Sequence, residues 1–191
     1  MSNYRFFLPT VPNPYPGGDV EVDGFEYLTR LVLAREPEAL LDKSRRKVSY
    51  VVAEPYTVAF AVNGERRVLT VPKGMLTDLA SVPRGARNIV GRVGPHLEAA
   101  IVHDYLFNAW QLVEGQGARR EDYKFANAVM FAGLRSAQVH WFERTAIQVA
   151  LTIPPFSWNA YQSPDEVLFV ELDERFAASE TGTVGPEIEV A

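Results

Sequence analysis

The stretch from residue 96 to residue 110 constrains the fold most, because it is apolar on almost every side of a helix. Its apolar residues are Leu97, Ala99, Ala100, Ile101, Val102, Tyr105, Leu106 and Phe107. Gly94 and Pro95 precede it, and a proline suits the first position of a helix because its missing N–H loses no hydrogen bond there. A helix of this pattern is expected to be buried on most sides.

Two ionisable residues, His103 and Asp104, lie in the middle of this apolar helix. A buried imidazole or carboxylate without a partner costs several kcal/mol, so both side chains should be hydrogen-bonded, ion-paired or bound to a metal. Neighbouring residues of a helix point about 100° apart. The two side chains therefore do not form a simple pair, and at least one needs a partner from another element.

Two carboxylates elsewhere in the chain are candidates for that role. Asp122 lies near the start of a second predicted helix, residues 119–135, and helical spacing places it on an apolar face. That face carries Phe125, Ala126, Val129, Met130 and Gly133. Asp78 lies in the run TDLASVPR at residues 77–84, a predicted loop that follows a hairpin. Loops held on a rigid support often carry functional groups.

Together Asp78, His103, Asp104 and Asp122 form a candidate site with two readings. Asp78, His103 and Asp122 would suit Zn²⁺, Mn²⁺ or Mg²⁺ as ligands, and the metal would activate water for hydrolysis with Asp104 and Asp78 as catalytic residues. The alternative is structural. Asp78 then caps a turn, Asp122 favours its helix N-terminus, and His103 is a hydrogen-bonded core residue. His96 and His140 are expected at the surface.

A β-hairpin precedes the helices. Residues 56–62 and 67–71 are rich in β-branched and aromatic residues, and Asn63-Gly64 between them is typical of a two-residue type I′ turn. Residues 48–53 predict another strand, and Phe25 to Leu33 alternate as a strand does. A third helix is predicted from residue 139 to about residue 151, before Pro154 and Pro155.

The order of these elements predicts an α+β fold, with an antiparallel sheet packed against about three helices. Residues 25–153 form the single domain. Four prolines between residues 9 and 16 indicate that residues 1–24 are an extended arm. Residues 154–191 are predicted to be an acidic C-terminal arm.

Composition limits the classes of partner. The net charge of −5 and a pI near 5.3 argue against a nucleic-acid-binding surface, which needs clustered lysine and arginine. The absence of cysteine excludes disulfides and thiolate chemistry. We see no secretion signal and no apolar run of the roughly 20 residues that span a bilayer. We therefore expect a soluble protein made in the cytoplasm.

The runs VPKGMLTDLASVPR at residues 71–84 and AIVHDYL at residues 100–106 resemble the domain of unknown function family 1353. Arg119, Asp122, Phe125 and Ala128 extend the resemblance, which covers roughly residues 48–151. Met75 stands where that family usually has an aromatic residue. The family's polar positions fall on Asp78, His103, Asp104 and Asp122. The resemblance implies a tailed-phage or prophage origin and supplies no reaction.

Two functions of different classes follow from these observations. In the first, the chain is a structural or assembly protein of a tailed-phage virion, made in the bacterial host, whose arms bind neighbouring virion proteins in an oligomeric assembly. In the second, it is a metal-dependent hydrolase that acts on cell-wall or another polymer through the Asp/His site.

Overall fold

The fold was obtained as a computed structural model, which describes residues 6–35, 50–77, 96–152, 156–162 and 169–171. Within these residues, strands β1 to β7 precede the first helix, and three further helices and strand β8 follow it. All strand pairs are antiparallel. The predicted α+β class is confirmed.

The largest sheet has the strand order β2-β5-β6, formed by β2 (Val22–Tyr27), β5 (Tyr56–Val62) and β6 (Glu65–Val71). Strands β5 and β6 are the predicted hairpin, with Val62 opposite Glu65. Asn63 and Gly64 have φ angles of 51° and 83°, as a type I′ turn requires. The predicted hairpin is therefore confirmed.

Strand β2 begins at Val22, three residues before the strand predicted from Phe25 and inside the predicted N-terminal arm. Val22 pairs with Val62, and the register shifts between Asp23 and Glu26. The chain leaves this sheet after Tyr27, which is why the alternation read from Phe25 to Leu33 does not correspond to one strand.

Two smaller sheets complete the β structure. Strands β3 (Leu33–Arg35), β4 (Tyr50–Val52) and β7 (Leu76–Thr77) pair in the order β3-β4-β7. Strands β1 (Phe6–Phe7) and β8 (Phe169–Val170) pair with each other, and Phe169 also bridges to Met75. The second pair brings the two flanking segments of the chain together beside β7.

The three predicted helices are present with small shifts at their ends. Helix α1 (Leu97–Asn108) continues as a 3₁₀ turn (Ala109–Leu112), and α2 (Arg120–Ser136) and α3 (Trp141–Thr152) follow. A short fourth helix, α4 (Phe156–Gln162), was not predicted. No helix in the described ranges is long and apolar enough to cross a membrane.

The core lies between the β2-β5-β6 sheet and the pair of helices α1 and α2. Helix α2 packs on both α1 and β2, and Phe60 of β5 lies between Phe25 and Phe125, with ring centroids 5.9 and 6.0 Å away. Helix α3 covers the other side, where Ile147 and Leu151 contact buried residues of α1 and α2. Helix α1 is thus buried on most sides, as its composition predicts.

Residues of both predicted arms belong to this packed unit. Tyr15 is buried on α1, Tyr161 of α4 is fully buried, and Phe169 of β8 is fully buried in the core. The arm prediction therefore does not describe residues 156–162 and 169–170. The aromatic side chains of Tyr161 and Phe169 gain apolar contact by packing, which an acidic, solvated arm would lack.

Helices α1 and α2 approach each other closely at Gly133. A Cβ atom at this position would lie 2.8 Å from Ala99 Cβ and 3.5 Å from Phe25 Cζ. The carbonyl of Gly133 also accepts a hydrogen bond from Tyr27 Oη at 2.9 Å, which ties α2 to β2. The missing side chain allows α2 to contact the helix and the sheet at once.

Gly133→Ala should lower the free energy of unfolding by roughly 1–3 kcal/mol, because the added methyl group overpacks the crossing. Helix propensity alone predicts the opposite, a gain of about 1 kcal/mol. Denaturant unfolding of Gly133→Ala, Ala99→Gly and the double variant should show that Ala99→Gly restores part of the loss. A stabilised Gly133→Ala variant would contradict the close crossing.

Candidate functional site

His103 is buried at the interface between α1 and α2. It is 2% exposed, and its Nε2 lies 3.0 Å from Oδ1 of Asn127 on α2. Because Oδ1 can only accept, Nε2 carries the proton and donates it. The Phe107 ring, one turn along α1, lies 4.5 Å from the imidazole. The imidazole is thus fixed by one hydrogen bond and one aromatic contact.

Burial lowers the pKa of His103 from 6.5 to about 4, and the hydrogen bond to Asn127 opposes this only in part. The imidazole is therefore neutral at pH 7. Its second nitrogen, Nδ1, is buried and has no hydrogen-bond partner in the part of the chain that the structure describes. A neutral imidazole with a free lone pair is the form that binds metals or accepts protons.

Asp104 points to a different neighbour from that of His103. Thr77 Oγ1, at the end of β7, donates to Asp104 Oδ2 at 3.1 Å. The expectation that at least one of the two residues needs a partner from another element is confirmed, and both have one. Asp78 follows Thr77 in sequence and lies outside the described residues.

Asp122 is 2% exposed in the first turn of α2, so the prediction that it points inward is confirmed. Gln116 Nε2 donates to its Oδ2 at 2.6 Å. Burial raises the pKa of the Asp122 carboxyl, and Glu121 adds to this, whereas Gln116 and Arg119 lower it. Its position in the first turn places the carboxylate where the helix dipole favours negative charge, as the structural alternative holds.

A cluster of aromatic rings lies beside these polar residues. Phe107 and Tyr123 each pack against Tyr161 of α4, with ring centroids 5.0 and 5.6 Å away, and Trp158 stacks on Tyr161 at 5.6 Å. Arg120 places its guanidinium 4.7 Å over the Trp158 ring. Helix α4 thus covers α1 and the start of α2.

Tyr15 reaches the same region from the N-terminal segment. Its hydroxyl donates to the Leu106 carbonyl and accepts from the Trp110 backbone N–H at 3.0 Å. Burial raises the pKa values of Tyr15 and Tyr161, so both hydroxyls stay protonated at neutral pH. The Tyr15 hydroxyl bridges the end of α1 and the 3₁₀ turn that follows.

The three described candidates are thus joined to three different partners. No group of three or more histidine, aspartate or glutamate side chains able to hold a metal occurs among residues 6–35, 50–77, 96–152, 156–162 and 169–171. With Asp78 outside these ranges, the proposed metal set of Asp78, His103 and Asp122 stays a prediction. So does a catalytic role for Asp104 and Asp78.

The sequence did not predict the residues that hydrogen-bond to the candidate side chains, namely Asn127, Gln116 and Thr77. Asn127 alone carried a signal, because asparagine has low helix propensity and here lies within an apolar helical stretch. The prediction for His96 was wrong: it is 2% exposed, and burial lowers its pKa, opposed by Glu143 of α3. His140 is exposed, as predicted.

These features define an α+β domain in which a buried His–Asn pair joins two helices and an Asp–Thr contact joins a helix to a strand. The chain belongs to the family described as protein of unknown function (DUF1353), whose model matches residues 50–151. His103, Asp104, Asp122 and their partners lie inside the matched span, whereas Tyr15, Trp158 and Tyr161 lie outside it. No curated protein and no solved structure matches the chain.

The lowered pKa of His103 predicts that the protein loses stability in mild acid. In the unfolded chain His103 is protonated below about pH 6.5, whereas in the folded chain it is protonated only below about pH 4. The free energy of unfolding should therefore fall as the pH drops from 6.5 to 4, by about 3 kcal/mol from this group. The lowered pKa of His96 also makes the free energy of unfolding fall as the pH drops. The raised pKa of Asp122 has the opposite effect on the free energy of unfolding.

Comparison with His103→Gln isolates the contribution of His103, because glutamine can still donate to Asn127 but does not titrate. Urea unfolding between pH 4 and pH 7 should give a shallower pH dependence for the variant. Equal slopes for the variant and the wild-type protein would show that His103 is not held neutral by burial.

Proposed function

We propose that this chain is a structural or assembly component of a tailed-phage virion, and that it binds neighbouring subunits through the exposed face of α3 that carries Trp141, Phe142 and Val149. One observation carries the proposal: Trp141, Phe142 and Val149 of α3 are 62%, 54% and 51% exposed. Exposed apolar side chains grouped on one element are typical of protein-binding surfaces. The resemblance to a phage-associated family supports the virion setting.

The composition of this face suits a contact surface. Tryptophan and other large aromatic residues are enriched among the residues that dominate binding energy. The Trp141 and Phe142 rings pack edge to face, with centroids 5.6 Å apart, which restricts their motion before any partner binds. Restricted side chains lose less entropy on binding.

The hydrogen bonds of the polar site residues are consistent with a structural role. His103, Asp104 and Asp122 each have a hydrogen-bond partner that joins two parts of the fold. The described parts of both flanking segments pack on the chain's own core through Tyr15 and Tyr161. Docking is therefore assigned to α3, whereas the arms were the expected docking elements.

Loss of the two aromatic side chains of α3 should remove the chain from particles. Replacing a central aromatic anchor typically costs about 2 kcal/mol or more, roughly thirty-fold in affinity. We expect Trp141→Ser/Phe142→Ser to be depleted from purified particles of a phage or prophage that encodes the chain, by quantitative mass spectrometry, and to keep its unfolding midpoint.

Val149→Ala and Val68→Ala make a matched pair for this experiment. Both valines are more than half exposed, at 51% and 57%, but Val68 lies on β6 and outside α3. Only Val149→Ala should weaken incorporation. The proposal fails if the wild-type chain is absent from the particles, or if the α3 variants are incorporated as well as Val68→Ala.

A second candidate is a metal-dependent hydrolase with Asp78, His103 and Asp122 as ligands and Asp104 and Asp78 as catalytic residues. The observation that favours it is the buried, neutral His103 imidazole whose Nδ1 is without a partner in the described residues. An imidazole in this state can bind Zn²⁺ or Mn²⁺ without releasing a proton.

Elemental analysis after metal-free purification and reloading tests this candidate. A hydrolase of this kind should retain one Zn²⁺ or Mn²⁺ per chain and lose it in both His103→Gln and Asp78→Asn. Glu114→Gln, an exposed carboxylate between the 3₁₀ turn and α2, serves as the control. A wild-type protein that retains no metal would remove the candidate.

A further inference from the structure

Strand β8 lies along the edge of the β3-β4-β7 sheet, beside the two residues that precede β7. Phe169 is the antiparallel partner of Met75. The Val170 N–H donates to the Gly74 carbonyl at 2.9 Å. On the opposite side, the Gly74 N–H donates to the Val52 carbonyl at 2.8 Å, and the Met75 carbonyl accepts from the Val52 N–H at 2.9 Å. Gly74 and Met75, which we call the acceptor edge, therefore hold β4 on one side and β8 on the other.

Strand β1 pairs with the far side of β8, with Phe6 opposite Val170 and Phe7 opposite Phe169. Two short strands from the flanking segments thus continue the β3-β4-β7 sheet beyond the acceptor edge. Adding an extended strand to the edge of a sheet is a recurrent way of binding peptides. In this mode main-chain hydrogen bonds give affinity, and pockets for side chains give specificity.

Phe169 is the side chain that anchors β8. Its exposed fraction is 0%, and it belongs to the same hydrophobic core as Met75 and Val52. A buried aromatic side chain removes a large apolar surface from water, about 150–250 Å². A strand with a small or polar residue at this position would lose that contribution. The acceptor edge therefore favours a strand that carries a phenylalanine here.

The acceptor edge and the strand that covers it have different relations to the family domain. Gly74, Met75 and Val52 lie inside the residues 50–151 that match the family model, whereas Phe169 and Phe6 lie outside them. The family domain supplies the edge, and the flanking segments of this chain supply the strands that cover it. Strand β8 is thus placed as a peptide ligand that is joined to its own binding site.

We propose that the acceptor edge is a peptide-binding site, and that between subunits its ligand is the Phe169 segment of a second copy of this chain. Every copy carries the same segment, so the main-chain hydrogen bond to Gly74 and the buried phenylalanine are the same within one chain and between two. Exchange of an identical element between subunits is a low-cost route to association. The proposal goes beyond the α3 contact and does not depend on it, because it concerns a different surface.

Concentration decides which copy supplies the strand. A ligand joined to its own site by a short connection has an effective concentration of roughly a millimolar. Dilute chains therefore keep their own β8. Exchange becomes competitive where many copies are held at a similar local concentration, as in an assembly.

A free peptide tests whether the acceptor edge binds a strand from another molecule. Phe169→Ser in the full chain removes the anchor of the chain's own strand and leaves Gly74 and Met75 unchanged. By fluorescence anisotropy, a labelled peptide of residues 163–173 should bind this variant roughly tenfold or more tightly than the wild-type chain, because the wild-type strand competes for the site.

The same peptide carrying Phe169→Ser is the matched control, since it keeps the length and charge of the ligand but lacks the anchor. It should bind neither chain. Equal binding of the two peptides to the Phe169→Ser chain, or no binding of either, would overturn the proposal.

Disulfide trapping provides a second measurement that needs no peptide, because the chain has no cysteine of its own. Opposed residues of an antiparallel pair have Cα atoms about 4.5–5.5 Å apart, within the roughly 7 Å that a disulfide allows. Met75→Cys/Phe169→Cys in one chain should therefore form an internal disulfide, which checks that the variants still place β8 on the acceptor edge.

A concentrated mixture of Met75→Cys chains with Phe169→Cys chains then reports exchange. Mixed dimers should form roughly tenfold more than in a mixture of Val68→Cys with Phe169→Cys chains, since Val68 is exposed on β6 and away from the acceptor edge. An internal disulfide without mixed dimers would show that the edge takes only its own strand, and absence of the internal disulfide would show that β8 does not lie beside Met75. Either result would overturn the proposal.

Discussion

The structure depends on keeping α1 buried on most sides while satisfying the polar side chains that it carries. Gly133 allows α2 to approach α1 closely, and that approach brings Asn127 within 3.0 Å of the His103 imidazole. On its other side, Thr77 at the end of β7 donates to Asp104. Packing and polar satisfaction are therefore coupled, because a helix crossing that moved outward would lengthen the hydrogen bond of His103.

Elements whose signal is local could be predicted from the sequence. The hairpin follows from Asn63 and Gly64, since few residues other than these adopt positive φ angles in succession. The burial of α1 follows from its composition, and the inward orientation of Asp122 follows from helical spacing. The need for partners at His103 and Asp104 follows from the cost of burying polar groups.

Contacts between distant parts of the chain could not be predicted in the same way. Strand β2 starts at Val22 because it pairs with β5, and a register shift hides its alternation. Proline content indicated an extended N-terminal segment but not that Tyr15 would bond to α1. His96 is buried and lies near enough to Glu143 of α3 for that carboxylate to act on its pKa. Asn127 is one of many polar residues in the sequence, and only the approach of α1 and α2 makes it the partner of His103. Each outcome depends on packing between elements far apart in sequence.

The central claim is that α1 holds a neutral, hydrogen-bonded His103 because α2 supplies Asn127. Nitrogen-15 NMR of the imidazole over a range of pH tests it most directly. The account predicts that the imidazole is neutral and protonated on Nε2 above pH 5, with a pKa near 4. The Nε2 proton should exchange slowly with solvent, and this slow exchange should be lost in Asn127→Leu. An imidazole that titrates near 6.5, with both nitrogens exchanging freely with solvent, would contradict it.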